Sequence, residues 1–183
     1  MDLGKLGVWY FLDGLSTEDS IRAAQKIESL GYGALWLPET VGKDPLTTSS
    51  LLLSVTTKLN LATGIVNIYH REPGVMLAAQ KTLAEQSQNR FILGMGVSHK
   101  PLVEGVRGLE YGPPVKTMRN YLSKMEASPY TGIANSEKPT TLMAALGPKM
   151  LELAAEKTDG AHPYFTSPEH TEFARKILGK DKK

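Results

Sequence analysis

The 183-residue sequence contains no cysteine, which excludes disulfides, thiolate nucleophiles and zinc sites built on cysteine. Its 21 lysines and arginines nearly balance 19 aspartates and glutamates, for a net charge of +2. This small excess gives no reason to expect nucleic acid or an anionic membrane as a partner. No apolar run approaches the ~20 residues that a membrane span needs, and the first residues do not resemble a signal peptide. We therefore expect a cytoplasmic protein.

Several motifs of common enzyme classes are also missing. No predicted strand is followed by Gly-x-Gly-x-x-Gly or by a phosphate-loop lysine, which argues against a nucleotide-binding open sheet. The four histidines lie far apart in the sequence, and no pair has the spacing of metal ligands. No carboxylate pair stands at the spacing expected of a glycosidase. The sequence therefore predicts no metal site.

Apolar runs alternate with amphipathic stretches along the whole chain, a pattern that predicts successive βα units. The first four strands begin near residues 6, 34, 59 and 90, at intervals of 28, 25 and 31 residues, about the length of one such unit. Two architectures fit this alternation, a (β/α)₈ barrel and an open doubly wound sheet. A complete barrel needs about 250 residues. The predicted strands cover residues 6–11, 34–38, 59–66, 91–93, 140–146 and 160–165. Ser16 and Ser167 are the predicted N-caps of the first and last helices, and Gly31 is predicted to close the first helix.

The fourth of these strands is the most informative stretch. Phe91–Leu93 is a continuous apolar run, which indicates a strand covered on both faces, and the small residues 94–98 predict a turn directly after it. Glycines at the carboxyl end of a parallel strand let the backbone approach a ligand closely. Taken alone, Gly94 and Gly96 are more simply explained by close packing against a neighbouring strand or helix. The residues at the other strand ends decide between this explanation and a ligand site.

The predicted strand ends are rich in glycine, backbone amides and aromatic rings, and they hold few charges. A binding site formed by these strand ends suits a flat, largely apolar ring better than a bare metal ion. The residues in question are Trp9, Tyr10, Glu39, Gly64, Ile65, Asn67, Gly96, Val97, Ser98, His99, Ala145, Leu146, Gly147 and His162.

Three of these positions carry titratable groups whose roles the sequence leaves open. Glu39 either pairs with an arginine such as Arg71 or binds ring nitrogens or a proton-relay water. His99 and His162 are either general acids near pH 7 or solvated and packed histidines. The helix predicted to start at Gly147 and Pro148 follows a strand immediately, so its first amides offer an anion site.

Five groups of motifs follow one another along the chain, at residues 30–39, 61–65 with 71–73, 79–86 leading into 90–96, 144–148 and 158–160. In their order and spacing they resemble one family: the luciferase-like flavin or deazaflavin (coenzyme F420) oxidoreductases, which fold as TIM barrels. The resemblance covers nearly the whole chain, and the helix at residues 79–86 leading into residues 90–96 is its most diagnostic part. The implied fold class is α/β, an incomplete TIM-barrel-like (β/α) fold of about six of eight units, in a single domain spanning residues 1–183.

The resemblance implies hydride transfer on a small organic substrate with coenzyme F420, or alternatively FMN, in a homodimer. It implies a cis peptide bond between Gly64 and Ile65 behind the ring. Catalytic roles would fall to Glu39 and His99. Cofactor contacts would come from Gly64, Ile65, Gly96, Val97, Ser98, Ala145, Leu146 and Gly147. Substrate contacts would come from Trp9, Tyr10, Asn67 and His162.

Two departures from the family pattern open an alternative. Thr40 stands where many relatives have a histidine, and the last two βα units of the family are not found in this sequence. Two edge strands would then expose unpaired backbone groups. The chain is thus either a fragment or a shortened member, and the second hypothesis is a non-catalytic cofactor-binding or structural relative. A six-strand open-sheet enzyme outside the family is the third.

Overall fold

The computed structural model describes residues 3–183, in which strands and helices alternate as predicted. The strands are β1 Gly7–Trp9, β2 Ala34–Leu37, β3 Asn60–Thr63, β4 Val66–Asn67, β5 Phe91–Gly96, β6 Thr140–Met143 and β7 Gly160–Ala161. The helices are α1 Thr17–Ser29, α2 Pro45–Ser54, α3 Pro73–Gln86, α4 Pro114–Ala127, α5 Pro148–Lys157 and α6 Pro168–Leu178. A 3₁₀ turn spans Ile68–His70, and a π-helical turn spans Pro101–Val106.

The strands form one sheet in the order β1-β2-β3-β5-β6-β7, with the short β4 paired to β5. The pairs β1–β2, β2–β3, β3–β5 and β6–β7 are parallel. A doubly wound sheet reverses its strand order at a switch point, whereas this order follows the chain without reversal. The topology therefore favours the barrel over the open sheet, with six βα units in the described part of the chain.

Strand β5 lies at the centre of this order, and all six of its residues are buried. The prediction of a turn from Gly94 onward was wrong, because the strand continues through Gly96. The glycines keep extended backbone that pairs with the next strand, and Ala144 N–H donates to the Met95 carbonyl at 2.8 Å. Small residues occur both at the ends of such strands and in turns, so their presence in the sequence does not distinguish the two structures.

Other strand boundaries also differ from the prediction. The first strand was predicted to span residues 6–11, but only Gly7–Trp9 forms β1. The predicted third strand is divided into β3 and β4 by a cis peptide bond between Gly64 and Ile65. Strand β6 ends at Met143 rather than residue 146. Strand β7 stops at Ala161 rather than residue 165, since Pro163 has no N–H to donate and Phe165 adopts a φ of 53°.

The local helix signals were predicted correctly. Ser16 and Ser167 are the N-caps of α1 and α6, and their side chains accept hydrogen bonds from Asp19 N–H and His170 N–H. Gly31 follows the end of α1 with a φ of 80°, the left-handed conformation that glycine adopts most easily. Among residues 3–183, no helix is long and apolar enough to cross a bilayer.

The contacts divide the chain into two compact units. The first runs through Val66 and includes residues 79–93 and 131–140; its core contains Leu35, Leu52, Leu61 and Phe91. The second comprises residues 67–78, 94–130 and 141–183; its core contains Met95, Val103, Met118 and Leu151. That the 183 residues form one domain stays a prediction.

The outer edge of β7 is paired by backbone from the last residue of the sequence. Ala161 N–H donates to the Lys183 carbonyl at 3.1 Å, and Lys183 N–H donates to the Asp159 carbonyl at 2.9 Å. The approach is so close that a Cβ added at Gly160 would clash with the Lys183 carbonyl oxygen. The expectation that this edge exposes unpaired backbone was therefore wrong at these positions.

Candidate functional site

In the first unit, four predicted site residues meet at the cis peptide bond. The bond lies between Gly64 and Ile65, where the family resemblance predicted it. Trp9 Nε1–H donates to the Gly64 carbonyl at 2.8 Å, and Glu39 N–H donates to the Ile65 carbonyl at 3.3 Å. The ends of β1, β2 and β3 thus place an indole ring and a carboxylate-bearing residue beside the same peptide.

Tyr10 follows Trp9, and only its backbone is held by a described hydrogen bond. Its N–H donates to the Trp36 carbonyl at 3.1 Å, which extends the pairing of β1 with β2, while 51% of the residue remains exposed. The neighbouring Trp9 and Phe11 rings pack edge to face with centroids 4.9 Å apart. The substrate roles predicted for Trp9 and Tyr10 stay predictions.

In the second unit, the loop after β5 adopts an unusual backbone conformation. Ser98 has a φ of 55°, in the left-handed region that residues with a Cβ seldom occupy. Tyr111 Oη–H donates to the Ser98 carbonyl at 3.3 Å. Burial, followed by the influence of Tyr69, raises the pKa of the Tyr111 phenol, so this donor stays protonated at neutral pH. A hydrogen bond from a distant residue therefore fixes the loop predicted to contact the cofactor.

Tyr111 is itself held in place by Tyr69. The two rings stack with centroids 5.7 Å apart, and Gly112 N–H donates to Tyr69 Oη at 3.0 Å. His99, predicted to be catalytic, is exposed, and its carbonyl accepts from Leu102 and Val103 N–H at the start of the π-helical turn. The catalytic role of its imidazole stays a prediction.

The loop between β6 and α5 offers an open helix N-terminus. Gly147 is the N-cap of α5 and provides no side-chain cap, and a Cβ added there would meet no heavy atom within 4 Å. Ala145 is buried, whereas Leu146 is 52% exposed. The first-turn amides and the positive end of the helix dipole, together with this open space, fit a phosphate group.

One residue that the sequence reasoning missed holds this loop. His170 Nε2–H donates to the Leu146 carbonyl at 2.8 Å, so the proton of a neutral His170 lies on Nε2. The His170 ring also contacts Phe173, with centroids 5.9 Å apart. Nothing local in the sequence indicates this contact, because 24 residues separate the two partners.

His162 lies beside the end of β6, since its N–H donates to the Met143 carbonyl at 2.9 Å. Burial lowers the pKa of its imidazole below the usual 6.5. The ring is therefore neutral at pH 7, which favours a hydrogen-bonding role over that of a cationic general acid. Its predicted contact with substrate is compatible with a neutral ring.

The buried Asn67 uses both ends of its amide within the chain. Its Oδ1 accepts from Tyr69 N–H at 3.0 Å, and its Nδ2 lies 3.2 Å from His70 Nε2. The predicted role of Asn67 in substrate binding stays a prediction. Among residues 3–183, no three histidine, aspartate or glutamate side chains are grouped to hold a metal ion.

The sequence pattern of the family described as luciferase-like monooxygenase matches residues 12–178. The chain belongs to this family. A relative from Mycobacterium tuberculosis, named as a predicted coenzyme F420-dependent oxidoreductase, is 30% identical over 92% of this chain and 56% of its own length. The family membership excludes the open-sheet enzyme considered as the third hypothesis.

Two solved structures show the same luciferase-like fold. The coenzyme F420-dependent tetrahydromethanopterin reductase from Methanopyrus kandleri has a TM-score of 0.78 at 21% identity, covering 94% of this chain and 59% of that one. The oxygenating constituent of 3,6-diketocamphane monooxygenase from Pseudomonas putida, in complex with FMN, has a TM-score of 0.75 at 15% identity. The match covers 94% of this chain and 61% of that one. The predicted incomplete TIM-barrel-like fold is confirmed.

The relatives are considerably longer than this chain. The chain spans about half the length of the curated relatives that it matches, 56% of one and 50% of another. Their activities, substrates and partners belong to the longer proteins.

Proposed function

We propose that this chain binds a deazaflavin or flavin cofactor as part of an oxidoreductase, and that coenzyme F420 is the favoured cofactor. The observation that carries this proposal is the 30% identity to the M. tuberculosis relative, which extends over 92% of the chain. FMN is the alternative, supported by the luciferase-like fold shared with a protein in complex with FMN.

The residues present fit such a cofactor. In the second unit, the open N-terminus of α5 at Gly147 suits the phosphate group, with Ala145 and Leu146 beside it, and Gly96, Val97 and Ser98 form the wall after β5. In the first unit, contact of the peptide between Gly64 and Ile65 with the ring stays a prediction of the family resemblance. When bound, the cofactor supplies a ring carbon that accepts or donates a hydride.

The remaining predicted residues act on a small organic substrate. Glu39 and His99 hold or move protons, while Trp9, Tyr10, Asn67 and His162 orient the substrate, His162 as a neutral hydrogen-bonding group. A homodimer in the cytoplasm belongs to the same proposal.

Titration of the purified protein with coenzyme F420 and with FMN, each oxidised and reduced, tests cofactor binding. The indoles of Trp9 and Trp36 provide the fluorescence signal. Trp9 donates to the peptide predicted to support the ring, so we expect saturable quenching, stronger with coenzyme F420 than with FMN. Absence of saturable binding for both cofactors would refute the proposal.

A second candidate is a cofactor-binding relative without catalytic activity, favoured by Thr40, which stands where the family resemblance implies a histidine. It predicts that the cofactor is retained but that no substrate changes its redox state. A spectrophotometric assay of the loaded protein with candidate small substrates separates the two candidates, because steady turnover would rule out the second.

A further inference from the structure

The second unit contains a cavity of about 480 Å³, a size typical of small-molecule sites. It is bounded by the 3₁₀ turn after β4, the first residues of α3 and one face of α4. Its polar lining includes His70, Arg71, Glu72, Asn120, Tyr121 and Lys124. None of the residues predicted to bind the cofactor lines it. We propose that this cavity binds the phosphate or carboxylate group of a small anionic ligand.

The charge of the cavity favours an anion. Arg71 and Lys124 contribute two fixed positive charges, and Glu72 is the one carboxylate in the lining. Glu72 Oε2 already accepts from Val75 N–H at 3.0 Å in the first turn of α3, where the helix dipole offsets part of its charge. Lys124 forms no ion pair within residues 3–183. A metal ion would be repelled by the two cations, whereas an anion would be attracted.

The orientation of His70 is fixed by Asn67. The Asn67 Oδ1 accepts from Tyr69 N–H at 3.0 Å, which identifies the other end of this amide as the donor Nδ2. The Asn67 Nδ2 lies 3.2 Å from His70 Nε2. The buried Asn67 thereby holds one imidazole of the cavity lining in place.

The opposite wall is also fixed. Tyr121 Oη–H donates to the Arg71 carbonyl at 2.9 Å, which joins α4 to the segment that carries the guanidinium. Arginine offers paired N–H donors that match the oxygens of phosphate and carboxylate, and the Asn120 amide adds a neutral donor. Groups that are already held in place lose little freedom when a ligand binds.

Isothermal titration of the protein with inorganic phosphate and, separately, with glutarate tests the proposal and distinguishes the two anion chemistries. We expect saturable binding of at least one probe, weakened by added salt because the interaction is ionic. Lys124→Gln should weaken this binding about tenfold, since it removes one charged partner. Lys124 is exposed on α4, so the substitution leaves the fold intact.

Lys116→Gln is the matched control, because Lys116 is exposed on the same helix and lies outside the cavity. Its affinity should stay within about twofold of the wild type. Inorganic phosphate also suits the open N-terminus of α5, so the titrations are repeated in Gly147→Glu, where Lys124→Gln should still weaken the remaining binding about tenfold. Equal weakening by Lys116→Gln and Lys124→Gln, or no saturable binding of either probe, would overturn the proposal. In Gly147→Glu the helix N-terminus proposed for the cofactor phosphate is blocked, so a failure in this background overturns the cavity proposal without bearing on the proposed cofactor function.

Discussion

At the scale of single residues, His162 is the clearest case in which burial determines chemistry. Burial lowers the pKa of its imidazole below the ordinary value of 6.5, so the folded protein releases the proton more readily than the unfolded chain. Between the lowered folded pKa and pH 6.5, the unfolded state binds more protons than the folded state. Stability therefore falls as the pH decreases through this window.

This linkage predicts the effect of His162→Gln. From pH 7.5 to pH 5.5, the wild type should lose more unfolding free energy than the variant, by at most ~1.4 kcal/mol per pH unit. Urea denaturation at the two pH values measures the difference. His99→Gln, which removes an exposed histidine, should keep the wild-type dependence. Equal pH dependences for the wild type and His162→Gln would show that the His162 pKa is not lowered.

At the scale of elements, the connection between α2 and β3 is held by two charged side chains, Glu28 and Arg90, which bind its backbone N–H and carbonyl groups. Residues 55–59, between α2 and β3, form neither helix nor strand. Glu28 Oε1 accepts from the N–H groups of Thr57, Lys58 and Leu59 at 2.9, 2.6 and 2.8 Å. Burial raises the pKa of Glu28, but the hydrogen bonds from Lys58, Leu59 and Thr57 outweigh it and lower the pKa overall.

Arg90 completes this connection from the residue before β5. Its guanidinium donates to the carbonyls of Leu53, Thr56 and Leu59 at 2.8, 3.1 and 2.8 Å. One of them, the Leu53 carbonyl, lies in the last turn of α2, where carbonyls have no partner within the helix. Burial lowers the pKa of Arg90, while Glu28 acts in the opposite direction.

We predict that Arg90→Met destabilises the protein by about 2–4 kcal/mol, because several buried carbonyls lose a charged donor. Arg90→Lys should recover only part of this loss, since an ammonium does not reproduce the planar fork. Thermal and urea denaturation give the free energies. Arg22→Lys is the control, and because Arg22 is exposed with Glu18 its effect should stay within about 0.5 kcal/mol. A loss this small for Arg90→Met would contradict the account.

The same scale shows which features are predictable from sequence. The caps at Ser16 and Ser167 and the glycine at Gly31 were predicted because capping depends on neighbours within a few residues. The ends of β6 and β7 were not, because strand length depends on partners far along the chain. The contacts of Tyr111 with Ser98 and of His170 with Leu146 cross 13 and 24 residues, distances at which periodicity carries no signal.

At the scale of the whole molecule, family and fold agree. The family match covers residues 12–178, and the sheet follows the chain order of a barrel. The cis peptide at Gly64–Ile65 was predicted only through the family resemblance, since nothing in residue spacing indicates it. Beyond this agreement, we propose that the N-terminus of α5 receives the phosphate of a flavin or deazaflavin.

The most direct test compares Gly147→Glu with Gly147→Ala. Open space at Gly147 accommodates either side chain, so the pair differs mainly by a carboxylate at the helix N-terminus. For each cofactor, the dissociation constant is measured beside that of the same chromophore without its phosphate. We predict that Gly147→Glu weakens the phosphorylated cofactor about tenfold or more, while Gly147→Ala and the chromophores without phosphate change less than about twofold. Equal affinities of the two variants for the phosphorylated cofactor would contradict the account.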